Sequence, residues 1–155
     1  MEIENWTIEK ALEVGAEMEL ESYTLYTETA EKATYPGAKK LLTELADDEK
    51  RHREYFLEGL RDPENVKMRT LKEHIPDLKI TDKLVKVPLD PKADYPQILI
   101  YAAQREKATH DFYVQIARKF RDVELGKMFN NFAKEELRHK YLLEREYDDV
   151  VLAEM

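Results

Sequence analysis

Two stretches of this chain read as the same helix written twice. LTELADDEKRHREYF (residues 42 to 56) and FNNFAKEELRHKYLL (residues 129 to 143) each carry apolar residues at alternating steps of three and four. That spacing marks the face a helix turns to a protein core. Yet each stripe also holds a carboxylate and an imidazole: Glu49 and His52 beside Leu42, Leu45, Phe56 and Gly59, then Glu136 and His139 beside Phe129, Phe132 and Leu143. A chain that buries such groups must either neutralise them or bind something that does.

Two further segments extend the repeat. Glu19 lies on the stripe Leu12, Gly15, Glu19, Tyr26, Ala30, and Glu106 on Leu99, Ala102, Glu106, Tyr113, Ala117. One offset relates all of these pairs: 106−19, 113−26, 136−49 and 139−52 each equal 87. Ala16, Ala30 and Ala46 recur at the same offset as Ala103, Ala117 and Ala133. The chain therefore reads as two similar helix hairpins, each offering two glutamates and one histidine.

The pattern predicts four helices over about 7–34, 37–61, 95–120 and 123–147. Tyr35-Pro36-Gly37 divides the first two, with Pro-Gly as a first-turn signal for the second. Asp94 or Pro96 opens the third, and Asp122 is the expected N-cap of the fourth. Residues 62–94 hold Pro63, Pro76, Pro88 and Pro91 without a sustained period, and read as a crossover with a short helix near Leu71. Two tight links and one long one imply an all-α four-helix bundle, one domain over residues 1–155, built from two antiparallel hairpins. A length of 155 residues suffices for one real core.

Composition narrows the chemistry. There is no cysteine, which excludes disulfides, iron–sulfur clusters and thiolate zinc sites. A net charge of −8 argues against nucleic acid and anionic membranes as partners. No stretch is apolar enough for a signal peptide or a membrane span, so the cytoplasm is the expected address. Four carboxylates and two imidazoles then point into one core, and no Lys or Arg lies at the central level of the stripes. Arg51 and Arg138 each precede a histidine, about 100° off the stripe. The remaining partner is metal. Oxygen and imidazole donors suit iron or manganese, with zinc also admitted. Six side chains are too many for one small ion and suitable for two, and a glutamate three residues before a histidine shares its helical face.

At this point the residues resemble a known family. Glu19 with Glu49-x-x-His52, and Glu106 with Glu136-x-x-His139, is similar to the ligand set that defines the ferritin-like di-iron carboxylate bundles; the ligand count is that superfamily's own. Within it the chain most resembles the rubrerythrins, whose first and third helices carry a glutamate and a tyrosine seven residues apart. Here these are Glu19 and Tyr26 in EMELESYTLY, and Glu106 and Tyr113 in REKATHDFY. The resemblance implies a ferritin-like four-helix bundle holding two iron ions. Glu49 and Glu136 would bridge them, Glu19 and Glu106 would be terminal ligands, and His52 and His139 would supply nitrogen. Tyr26 and Tyr113 would bond ligand carboxylates and are the candidate catalytic residues, beside their plain reading as core tyrosines with satisfied hydroxyls.

Two departures matter. Peroxide-reducing rubrerythrins carry another glutamate three residues after the third-helix ligand; here that position is Thr109, with His110 next to it as a compensating candidate. His74, in the crossover, reads as solvated. A rubredoxin-like iron domain needs four cysteines, so electrons are expected from a separate donor such as a rubredoxin. The resemblance implies an oxidoreductase that consumes hydrogen peroxide or dioxygen. The alternatives are a ferroxidase or iron-storage protein, and a non-catalytic metal-binding bundle. A homodimer is expected. The long crossover allows its hairpins to exchange between chains, and TDKLVKVPLDP offers apolar residues to pair or pack across the boundary.

Overall fold

A computed structural model of the chain describes residues 3–62, 75–82, 84 and 89–154. The described residues form four helices: α1 (Ile8–Lys32), α2 (Ala38–Arg61), α3 (Tyr95–Lys119) and α4 (Glu124–Glu154). The helices pack as two hairpins, α1 on α2 and α3 on α4, in an all-α four-helix bundle. Among the described residues no helix is long and apolar enough to cross a membrane.

The helix ends follow local chemistry. Thr7 caps α1 by accepting from the Lys10 amide at 3.1 Å. Asp94 and Gln97 form a reciprocal capping box at the start of α3: each side chain accepts from the other's backbone N–H at 2.9 Å. Pro36 and Gly37 do not begin α2. They form the turn before it, with the Tyr35 carbonyl accepting from Ala38 N at 3.2 Å and Gly37 at φ 78°, a conformation open to glycine.

α4 departs most from the sequence reading. It starts at Glu124, so Val123 rather than Asp122 flanks it, and it runs to Glu154 rather than about 147. Leu143 and Val150 are buried in the same apolar cluster, with Tyr147 packed against it, so the stripe continues through the acidic pair Asp148-Asp149. The short helix expected near Leu71 lies outside the described residues, as do His74 and most of the apolar positions of 81–91.

The core divides into two apolar clusters. One contains Leu12, Phe56, Tyr113, Ile116, Met128 and Phe129; the other contains Tyr26, Leu42, Leu45, Leu99, Leu143 and Val150. α1 and α4 run from the first cluster to the second, and α2 and α3 run from the second to the first. Parallel α2 and α3 cannot be joined by a tight turn, which is why the connection over residues 62–94 must travel the length of the bundle. The described part of that connection is fastened to α4. Thr81 donates to Glu144 Oε2 from its amide at 2.7 Å and from its hydroxyl at 3.1 Å.

Packing also shows the repeat. A Cβ on Gly15 would lie 2.9 Å from the Phe56 ring, so the large ring in the first hairpin needs the glycine opposite it. The equivalent positions of the second hairpin are Ala102 and Leu143 (102−15 and 143−56 both equal 87), a larger residue opposite a smaller one.

Candidate metal centre

Between the two apolar clusters lies a polar layer to which every helix contributes. Glu19 comes from α1, Glu49 and His52 from α2, Glu106 from α3, and Glu136 and His139 from α4; all six are at most 1% exposed. Glutamate and histidine three residues apart stand on one face of α2 and of α4, so each helix delivers an oxygen and a nitrogen at one level.

The six fall into two overlapping groups, Glu19, Glu49, His52, Glu136 and Glu49, Glu106, Glu136, His139. Within each group one candidate ligand atom per residue lies within 4.8 Å of all the others. Glu49 and Glu136 belong to both. His52 Nδ1 stands 2.9 Å from Glu136 Oε1 and 3.3 Å from Glu19 Oε1, and His139 Nδ1 stands 3.1 Å from Glu49 Oε1. Both imidazoles therefore turn Nδ1 to the carboxylates.

Each terminal glutamate is held by a tyrosine of the opposite hairpin. Tyr113 donates to Glu19 Oε1 at 2.6 Å, and Tyr26 donates to Glu106 Oε1. Burial, and then the charge of Glu106 or Glu19, pushes both phenols well above their ordinary value, so they remain protonated donors. The outer nitrogens of the imidazoles meet carboxylates too: His139 Nε2 lies 3.0 Å from Asp48 Oδ2, and His52 Nε2 lies 3.1 Å from Glu135 Oε2. An ionised carboxylate only accepts, so Nε2 carries the hydrogen and Nδ1 is left to face inward.

Do these residues fit a metal? Glu19 Oε2, Glu49 Oε1, Glu106 Oε2, Glu136 Oε2 and His139 Nδ1 are buried without a hydrogen-bond partner. Buried polar atoms are ordinarily satisfied, and five orphans in one layer call for a shared cation. Burial and then the other carboxylates push Glu49 and Glu136 well above the usual carboxylate range. Burial opposes charge on His52, but Glu19, Glu135 and Glu49 together outweigh it and raise the imidazole to about 10. Burial would raise Glu106 as well, yet its interactions with Glu136, the nearby His139 imidazole and the Tyr26 hydroxyl hold it low. The protein's own groups thus supply too little positive charge for the carboxylates they bury. Oxygen and imidazole donors, shared by two overlapping sets, fit a pair of metal ions.

All six expected ligand residues and both tyrosines meet in this layer. Thr109 is buried on α3, whereas His110 turns to Asp111 Oδ1 at 3.0 Å and belongs to neither group. Sequence reasoning missed Asp48 and Glu135. One signal was present, since 135−48 also equals 87. It also missed a buried ion pair beside the site: Lys140 Nζ reaches Glu144 at 3.0 Å, Asp77 at 2.6 Å and Asp82 at 3.1 Å. Lys140 serves the crossover, not the metal layer.

Comparison with known proteins agrees with this geometry. A family model described as Rubrerythrin matches residues 2–60, which span α1 and α2 and include Glu19, Tyr26, Glu49 and His52. No curated protein and no solved structure matches the chain. The second hairpin lies outside that match and is tied to the first by the 87-residue repeat (139−52) and by the shared layer of ligands. The first hairpin, residues 2–60, thus matches the rubrerythrin family model, and the buried Glu/His groups of the bundle it helps to build fit a metal site.

Proposed function

We propose that this protein is a di-iron oxidoreductase that reduces hydrogen peroxide or dioxygen with electrons from a separate donor. The observation that carries the reading is the pair of overlapping ligand groups sharing Glu49 and Glu136. Glu19 and His52 would complete one site, Glu106 and His139 the other, and the two shared carboxylates would bridge. Two bound iron ions would supply two electrons together, enough to cleave the O–O bond of peroxide or to take dioxygen to peroxide without releasing a one-electron radical.

The chain's residues contribute the rest. Glu49 and Glu136 are placed to accept charge from both sites. Tyr26 and Tyr113 hold the terminal carboxylates from the opposite hairpin and keep a proton within reach of them. The apolar clusters on either side of the layer exclude bulk water, which strengthens every charge interaction inside it. Thr109 offers a hydroxyl where peroxide-reducing relatives of this pattern carry a carboxylate, so dioxygen is retained beside peroxide as oxidant. The proposed donor is a rubredoxin-like centre outside these 155 residues, which contain no cysteine for an electron-transfer iron site of that kind.

The working assembly proposed is a cytoplasmic homodimer. Its hairpins can pack within one chain or exchange between two, since the same six side chains would line the centre in either arrangement. Anaerobic iron titration should show two ions per chain. Mixing the loaded protein with peroxide or dioxygen should then oxidise both ions with one equivalent of peroxide. One ion per chain, or a loaded centre inert to both oxidants, overturns the reading. Growth of a mineral core under excess iron would move the function to iron storage.

A further inference from the structure

The two imidazoles of the centre are joined on their outer sides through one cation. Asp48 accepts from His139 Nε2, and Glu135 accepts from His52 Nε2. One terminal nitrogen of Arg51, Nη2, then donates to the free oxygens of both carboxylates, to Asp48 Oδ1 at 3.2 Å and to Glu135 Oε1 at 3.1 Å. The result is an unbroken chain, His139–Asp48–Arg51–Glu135–His52, that crosses from α2 to α4.

The carboxylates of this chain obey the sequence repeat, but the arginine does not. Arg138 is the equivalent of Arg51 (138−51 equals 87), yet it is exposed and makes no ion pair among the described residues. One hairpin thus supplies the cation for both halves. Without it, two carboxylates drawn toward the same region of the α2–α4 seam would repel and be free to swing away from the imidazoles. An imidazole without its outer acceptor loses both its ring orientation and its tautomer preference.

We propose that Arg51 is a positioning residue that holds both histidines of the centre at once, locking each with Nε2–H outward and Nδ1 toward the metal layer. The inference rests on the reading of that layer as a metal centre. It predicts an effect on both sites, although Arg51 neighbours only His52 in sequence. Because a single nitrogen makes both bonds, a lysine ammonium has donors enough to replace it.

The test uses Arg51→Met, which keeps the apolar stem, Arg51→Lys, and Arg138→Met as the internal control. Metal-free protein is titrated with Co2+ while the visible absorption of the bound ion is followed, and the imidazole Nε2–H protons are followed by NMR. The expected result for Arg51→Met is weaker binding of both ions by about tenfold, the low end of the loss seen when outer partners of metal-bound histidines are removed. Its Nε2–H protons on both His52 and His139 should exchange faster. Arg51→Lys should restore most of both signals, and Arg138→Met should match the parent protein. The inference is overturned if Arg51→Met binds as the parent does, if only the His52 proton is affected, if Arg51→Lys fails to rescue, or if Arg138→Met is equally damaged. A parent protein that takes up no Co2+ fails before any substitution is made, which marks failure of the metal-centre reading itself.

Discussion

Stripping the metal ions should remove a large share of the stability of this fold, and the loss should shrink on acidification. Four carboxylate oxygens in the layer, Glu19 Oε2, Glu49 Oε1, Glu106 Oε2 and Glu136 Oε2, are buried with no hydrogen-bond partner. Leaving such an atom unsatisfied costs about 1–3 kcal/mol, so the set costs roughly 4–12 kcal/mol. Total stability of a domain is only about 5–15 kcal/mol. At about 2–4 °C per kcal/mol for a chain of this size, even the low end implies a melting temperature about 10 °C lower after chelation near neutral pH.

The pH dependence follows from four Glu and His groups of the layer raised above their ordinary values: Glu49, Glu136, His139, and His52 at about 10. A raised group binds its proton more tightly folded than unfolded. Its contribution is fully present below the unfolded value, 4.5 for the glutamates and 6.5 for the histidines, and is lost as pH rises through the folded value. Metal-free protein should therefore gain stability between about pH 8 and pH 5. Asp48 and Glu135 act in the opposite sense. Burial would raise them, but their bonds to His139 and His52 hold them low, so their contribution fades as pH falls through their folded values. Metal-loaded protein should lose stability on acidification, since protons compete for the same ligands. Calorimetric melts with and without chelator, across that range, should give two curves that converge toward acid. Coincident melts at every pH, or metal-free protein that weakens steadily from about pH 8 to pH 5, would refute the reasoning.

Three further outcomes are expected. Tyr26→Phe and Tyr113→Phe should each keep both metal ions but slow reoxidation, while lowering stability by about 1–3 kcal/mol through the carboxylate oxygen left without its donor; single-turnover rates and metal content separate the two effects. Gly15→Ala should destabilise by about 1–3 kcal/mol, because its Cβ would meet the Phe56 ring at 2.9 Å. Adding Phe56→Leu, which approaches the Ala102 and Leu143 pair of the other hairpin, should return part of that loss in denaturant melts. Lys140→Met should cost about 3 kcal/mol or more by leaving Glu144 buried without its cation, and hydrogen exchange at the Thr81 amide should accelerate as the crossover segment loosens.

The helices and the six residues of the buried Glu/His layer were legible in the sequence for one physical reason. Burial on a helix repeats with the helix, so a charged residue on the apolar stripe stands out against it, and the second copy confirmed the first. Asp48 and Glu135 were not legible because each sits one residue before a shared glutamate, off the stripe, among many surface charges. They matter only because α2 and α4 bring each of them to the histidine of the other hairpin. Lys140 and Glu144 were hidden for a different reason: their face of α4 is buried by residues 75–82 of the crossover, and no periodicity within a helix records what a distant segment covers. The end of α4 was not legible because Asp148 and Asp149 interrupt the apolar pattern just before Val150, which carries the stripe one turn further.

The repeat also explains why the centre needs the whole bundle. The first hairpin supplies Glu19, Glu49 and His52, but the fourth member of its group is Glu136 from α4; the second supplies Glu106, Glu136 and His139, and takes Glu49 from α2. The phenols cross over in the same way, Tyr113 to Glu19 and Tyr26 to Glu106, as do the outer carboxylates, Asp48 to His139 and Glu135 to His52. No hairpin completes its own ligand group, holds its own terminal glutamate or orients its own histidine. Each copy is a set of donors whose partners lie in the other copy, 80 to 94 residues away (106−26 and 113−19), and docking of the hairpins is what converts two costly rows of buried charge into one site. Where the copies agree, the centre is two-fold and suits a pair of like ions. Where they differ, at Arg51 against Arg138, the two-fold arrangement is fastened from one side only.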